Sequence, residues 1–398
     1  MSFTAEQPPL TVRRRLLLQV PGYEPLSAEA HHRRLVRTLG RTAAAWGLAA
    51  TTEPAETQAD DGPVLAFRAR LAGPNWATEA EIRILAWNDL MVRDLSASLP
   101  HLAARGSAVL LGLLRDGTLA RYRGAHWRYL LFVALPVAIL LGSLLGGVAS
   151  GLLVGGWGGL LLGPAVTLAL LHAGDRWLHL RHLLADWVFA SDLASGARPE
   201  LDARIACFAQ EIIAARRRRD VEEVVLVGHS LGMVLLTEAL AAALAQDPAP
   251  PRPGPRLALV GLGSSVLKIA LMPQARRLRD AVARVAAAPH LAWLEYTSRR
   301  DLVCFHRADP VAALGLPGRG PRIERIHPRA MLDHASWCRV RRSMLRAHRV
   351  YVTGCGRRYF YDWGLIACGP GAIGLDPFPD RLIGPDGTLA GPTMEQAA

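Results

Sequence analysis

The chain has 398 residues, with 46 Lys+Arg against 34 Asp+Glu for a net charge of +12, and is 51% hydrophobic. That apolar content beside 20% charged residues excludes a disordered chain, and the length allows one large domain or two ordinary ones. Lys268 is the sole lysine, so the basic character is almost wholly arginine; without interleaved stacking aromatics or a known motif it does not point to nucleic acid.

The apolar stretch near the start, residues 16–18, is too short for a signal-peptide core. Residues 15–20 predict a strand ending at Pro21-Gly22-Tyr23, and 28–46 predict a helix through Leu35, Leu39, Ala43 and Trp46. Residues 64–71 and 81–87 alternate apolar and polar side chains, as half-buried strands do. The five cysteines, Cys207, Cys304, Cys338, Cys355 and Cys368, form no C-x-x-C pair and are expected as reduced thiols in a cytoplasmic setting.

From Tyr129 to Leu171 there are 43 consecutive residues without a formal charge. One crossing of the hydrocarbon needs about 20 apolar residues, so the run predicts two transmembrane helices, about 129–149 and 152–171. Gly146-Gly147 and Ser150-Gly151 offer the turn, and Gly155, Gly156, Gly158, Gly159 and Gly163 offer a close helix contact. Arg115, Arg121, Arg123 and Arg128 precede the run and Arg176 and Arg181 follow it, which puts both ends on the cytoplasmic side. Trp127, Tyr129 and Trp177 stand where interfacial anchors belong. A re-entrant hairpin, or one buried in a soluble protein, is the alternative.

Beyond the hairpin, 200–217 predicts a helix ending in the arginine run Arg216–Arg219, expected as a solvated or headgroup-facing patch. Residues 224–227 are wholly apolar, as in a central parallel strand. A helix (231–245), a strand (257–262), a helix (274–287) and a strand (291–296) follow, with 323–326 as a last strand. This alternation predicts an α/β fold with a doubly wound, mostly parallel sheet and helices on both faces. Gly261-Leu262-Gly263-Ser264-Ser265 lacks the lysine of a phosphate loop and reads as a strand-to-loop turn. No motif indicates a catalytic metal or a cofactor.

Between the strand 224–227 and the helix 231–245 stands Gly228-His229-Ser230-Leu231-Gly232. A G-x-S-x-G turn from strand to helix resembles the nucleophile elbow of the α/β-hydrolase superfamily, in its lipase and esterase branches. With the Pro-Gly-Tyr segment near the start, the chain resembles membrane-associated bacterial proteins of that superfamily from Arg15 to about Pro370. The resemblance implies Ser230 as nucleophile between elbow glycines Gly228 and Gly232, then an acid and a histidine in that chain order. Asp301, just past the strand 291–296, is the expected acid. The base is open among His306, His327, His334 and His348; His334 has the usual separation from the last strand. His348 lies in an H-x-x-Y segment before Tyr361-Asp362-Trp363, which is similar to the membrane-associated proteins and favours it. The oxyanion donors implied are the amides of Leu231 and Tyr23.

The domain reading is an N-terminal part of the hydrolase domain (1–115), a transmembrane insertion (116–199), a C-terminal part (200–370) and a loosely ordered tail (371–398). The function implied is a membrane-anchored serine esterase or lipase acting on an ester or lipid-like substrate, held in a bacterial inner membrane with its hydrolase domain cytoplasmic. An acyltransferase with the same triad, or a non-catalytic membrane scaffold on this fold, is the alternative.

Overall fold

Apolar runs of two lengths organise the chain: short ones that build a sheet, and two long ones that do not join it. The computed structural model describes residues 11–57, 63–248, 254–375 and 378–389. It divides into two compact units, Met1–Asn88 with Glu200–Val266 and Arg277–Ala398, and Asp89–Pro199 with Leu267–Arg276.

In the first unit the strands are β1 (Arg14–Val20), β2 (Ala49–Thr52), β3 (Glu56–Thr57), β4 (Val64–Gly73), β5 (Trp76–Leu85), β6 (Glu223–His229), β7 (Arg256–Leu262), β8 (Leu291–Thr297) and β9 (Arg322–Arg325). They form one sheet in the order β2-β4-β5-β1-β6-β7-β8-β9, with β3 paired to β4. From β5 to β9 every pairing is parallel, and β4 runs antiparallel to its neighbours. The fold is therefore α/β with a mostly parallel sheet. β6, buried at every residue, lies between β1 and β7, which explains its unbroken apolar run. β2 and β3 were not anticipated, because Ala-Ala-Thr-Thr and Glu-Thr carry too little apolar pattern.

The helix Ala28–Trp46 starts at Ser27, whose hydroxyl accepts from the Ala30 amide, and ends at Gly47 in the left-handed region. Its Leu35, Leu39 and Trp46 enter the core with Leu65, Phe67, Ile82 and Ile84. Asp362, in the Tyr-Asp-aromatic run, ties that helix down, accepting from Thr42 Oγ1 (2.6 Å) and Trp46 Nε1 (3.0 Å). The arginine run is not a free patch: Arg216 and Arg217 pair with Asp247, and Arg218 with Asp220 and Glu81.

The expected loose tail is packed over its described part. Gly371 bridges Thr11, Ile383 bridges Leu389, and Trp76 Nε1 donates to Gly387 O (2.9 Å). Residues 376–377 and 390–398 lie outside the described residues.

The second unit is helical and larger than the expected insertion of 116–199, beginning at Asp89 and recruiting Leu267–Arg276. It begins early because the helix Leu99–Arg115 packs along Leu180–Ser195, with Gly106 tight against Leu184. The recruited segment is held by Lys268, whose ammonium is buried on the Asp186 carboxylate and lies 4.3 Å above the Trp187 ring. Arg121 Nε donates to Leu271 O (2.7 Å) as a further tie.

Two helices of this unit, Tyr129–Val154 and Gly156–Leu178, contain 18-residue stretches of mean hydropathy 2.4 and 1.4 and are long and apolar enough to cross a membrane. The break falls at Gly155 (φ 65°, ψ 177°), not at the expected Gly146-Gly147 or Ser150-Gly151. Those earlier glycines stay helical because the facing helix uses the space they leave: Gly147 stands against Gly163 and Thr167, and Gly151 against Gly159. Leu152, Leu153 and Trp157 near the turn are 79%, 88% and 84% exposed, so no protein core encloses this end of the hairpin. Such an apolar, uncovered surface marks membrane association.

Candidate active site

The C-terminal ends of parallel strands are where an open α/β sheet collects a ligand site, because the following loops diverge there. At the end of β6 the chain turns sharply into the helix Leu231–Gln246 through Ser230, which adopts φ 54°, ψ −124°. A non-glycine residue in that region is strained, and the surroundings hold it there. The Ser230 amide donates to Leu262 O (3.1 Å), and its carbonyl accepts from the Ser265 amide (3.2 Å). Glycine is required on either side: a Cβ at Gly228 would collide with the Met233 backbone, and one at Gly232 with the carbonyls of Val20 and Pro21.

Asp301 lies four residues past β8 and is buried. Its Oδ1 accepts from the Val303 amide (2.9 Å), and its Oδ2 accepts from His348 Nδ1 (2.8 Å) and Tyr351 Oη (3.1 Å). Burial pushes the carboxyl's pKa up, but His348, through its charge and its hydrogen bond, and the Val303 amide outweigh it and hold the group below its ordinary value. An ionised carboxylate only accepts, so His348 Nδ1 carries the proton in this pair, which leaves Nε2 as the ring position facing away from Asp301. Nε2 is buried and has no hydrogen-bond partner among the described residues.

The helix Met344–His348 brings this imidazole to the turn: its ring centre lies 4.9 Å from that of His229, the residue before Ser230. His229 Nε2 donates to the His348 carbonyl (3.1 Å), which fixes the histidine segment to the strand end. Burial, with the nearby His348, depresses the His229 pKa to about 3, so this ring stays neutral. The Ser230 hydroxyl is paired with Ser265 Oγ (3.3 Å).

The other histidines lie elsewhere. His334 starts the helix His334–Val340 and faces Cys338 Sγ (3.5 Å); His306 Nδ1 pairs with Thr297 Oγ1 (3.1 Å); His327 caps Pro328–Met331. Of the four candidates, His348 is the one with a ring nitrogen on Asp301.

Leu231 opens its helix, so its amide is among the first four with no acceptor inside that helix. The loop after β1 reaches the same turn: an ideal Cβ on Gly22 would stand 3.1 Å from Ser230 Cβ, which puts Tyr23 one residue from the serine's immediate surroundings. Tyr23 is buried, its ring 6.0 Å from Trp87, and Trp87 Nε1 anchors the loop at Pro21 O (2.8 Å).

Four neighbours escaped the sequence reading: Glu24, His229, Ser265 and Tyr351. Glu24 is buried under a forked pair with Arg34 (3.2 and 2.7 Å), and Arg349 Nε lies 3.3 Å away. Burial raises its pKa, but these guanidiniums and His229 bring it down to about 2. Ser265 and Tyr351 had a usable signal: the first follows the strand beside β6, and the second lies three residues past His348.

A cleft of about 370 Å³ lined by Arg14, Arg68, Glu79, Glu81 and Arg218 opens at the other ends of these strands. Its charges face one another in register, Arg68 to Glu81 and Glu79 to both Arg70 and Arg14, so it is largely self-neutralised. Among the described residues no group of three or more His, Cys, Asp or Glu side chains is placed to hold a metal. No family model, curated protein or solved structure matches the chain.

Proposed function

We propose that the chain is a membrane-anchored serine hydrolase of α/β-hydrolase type, an esterase or lipase. The observation that carries this reading is Ser230 strained on the β6 turn, with the imidazole of the His348–Asp301 pair lying against the adjacent His229. Ser230 Oγ leaves Ser265, passes its proton to His348 Nε2 and attacks the ester carbonyl. Asp301 holds the imidazole in the tautomer that accepts this proton and stabilises the imidazolium. The amides of Leu231 and Tyr23 hold the oxyanion, His348 returns the proton to the departing alcohol, and water then releases the acyl group from Ser230.

The anchor enters between β5 and the helix Pro199–Arg216, so the hydrolase part is tethered at a bilayer where amphiphilic esters collect. Arginines at both ends of the hairpin support a cytoplasmic placement of that part in a bacterial inner membrane.

A fluorophosphonate probe tests the chemistry. Labelling of wild type and not of Ser230→Ala supports the hydrolase, whereas folded wild type that resists the probe points to a non-catalytic scaffold. The anchor is tested by lysis without detergent: intact chain in the soluble fraction speaks against it.

A further inference from the structure

A buried ionic cluster adjoins the candidate site on two sides. Glu24 follows the proposed oxyanion residue Tyr23, and Arg349 follows the proposed base His348. The single Glu24 carboxylate faces two guanidiniums, Arg34 as a fork and Arg349 through Nε. Glu24 Oε1 also lies 3.8 Å from His229 Nδ1, and that imidazole is neutral. The cluster therefore carries one positive charge more than it balances.

His31, on the helix Ala28–Trp46, stands in the field of the same three charges. It is 4% exposed, and neither of its ring nitrogens has a hydrogen-bond partner among the described residues. A buried imidazole with no protein partner has unused hydrogen-bonding capacity that a polar ligand can satisfy. Arg349 is the accessible member, with 35% of its side chain exposed and its nearest approach to Glu24 made through Nε. A surplus guanidinium directly after the proposed base, with an orphaned imidazole in the field of the same cluster, suits an oxyanion.

We propose that this cluster is an anion subsite of the Ser230 centre, and that the substrate is an ester bearing a second, charged oxyanion group, a phosphate or a carboxylate. Arg349 takes the anion, Glu24, itself fixed by Arg34, holds Arg349 in place, and His31 supplies a further hydrogen bond. The proposal rests on the hydrolase reading for its chemistry, but not for its binding.

Full-length protein in neutral detergent is assayed on two matched pairs: 1-oleoylglycerol 3-phosphate against 1-oleoylglycerol, and 4-nitrophenyl hemiglutarate against 4-nitrophenyl butyrate. The same pairs are titrated by calorimetry against Ser230→Ala. We expect kcat/KM and affinity to favour the charged member of at least one pair by about tenfold, the pair showing whether phosphate or carboxylate is preferred. Arg349→Gln should remove that ratio, Arg349→Lys should keep part of it, and Arg68→Gln, in the distant cleft, should leave it. No preference in either pair, a ratio unchanged in Arg349→Gln, or an equal loss in Arg68→Gln overturns the proposal. Selective binding without turnover supports the anion subsite and overturns the hydrolase reading instead.

Discussion

Replacing Tyr351 with phenylalanine removes one hydroxyl from the Asp301 carboxylate and keeps the ring that fills the space above Gly263. The carboxylate has three strong donors, at 2.8 Å from His348, 3.1 Å from Tyr351 and 2.9 Å from Val303. A hydrogen bond to a charged group is worth about 1.5–3 kcal/mol, so Tyr351→Phe should destabilise the protein by about 2 kcal/mol. Part of that loss falls on the proposed catalytic pair, because the carboxylate is less fixed and less stabilised as an anion. If two thirds of it reaches the transition state, fluorophosphonate labelling slows roughly tenfold. The pH dependence has a definite sign. Asp301 lies below its ordinary pKa in the fold, so its stabilisation is present above the unfolded pKa and is lost as pH falls through the folded one. Losing the tyrosine donor raises the folded value, and the acid limb of the labelling profile moves to higher pH. Labelling rates between pH 4 and 8, with thermal melts at each pH, measure both effects. A variant whose melting, rate and acid limb all match wild type would refute the role given to Tyr351.

Gly232→Ala should cost about 1–3 kcal/mol and abolish labelling, since its Cβ meets the Val20 and Pro21 carbonyls that lead into the Gly22-Tyr23 loop; wild-type labelling would contradict this. Glu295 is buried with Oε2 unpartnered, and burial raises its pKa to about 8. The folded state keeps a proton that the unfolded chain releases, so stability should fall as pH rises from the ordinary glutamate range to about 8, by at most about 5 kcal/mol. Glu295→Gln should flatten that slope in pH-resolved melts, and an unchanged slope would locate its source elsewhere. Lys268→Met strands the buried Asp186 carboxylate and should cost about 3–5 kcal/mol, with Asp186→Leu added on top restoring most of it; a fully stable single variant would contradict the pairing.

The hairpin was legible because lipid imposes a composition: 43 uncharged residues flanked by arginine and tryptophan leave few alternatives. The central strand and the turn at Ser230 were legible for a similar reason, since a strand buried on both faces must be wholly apolar and a crowded turn must carry glycine. The hairpin's turn was not. Glycine breaks helices in water but packs them in lipid, and only the facing helix decides that Gly147 and Gly151 stay helical while Gly155 turns.

Sequence by itself therefore determined the alternating α/β order, the two long apolar helices, and Ser230 between Gly228 and Gly232, all features written in neighbouring residues. A resemblance favoured His348 among His306, His327, His334 and His348, but only tertiary structure decided which of them meets Asp301, because that depends on where each element delivers its ring. Tertiary structure also decided that Lys268 belongs with the membrane unit and that Glu24 lies between Arg34 and Arg349. Such pairings join residues tens to hundreds of positions apart, and no local pattern records them. They exist only once burial has removed the water that would otherwise satisfy each charge alone.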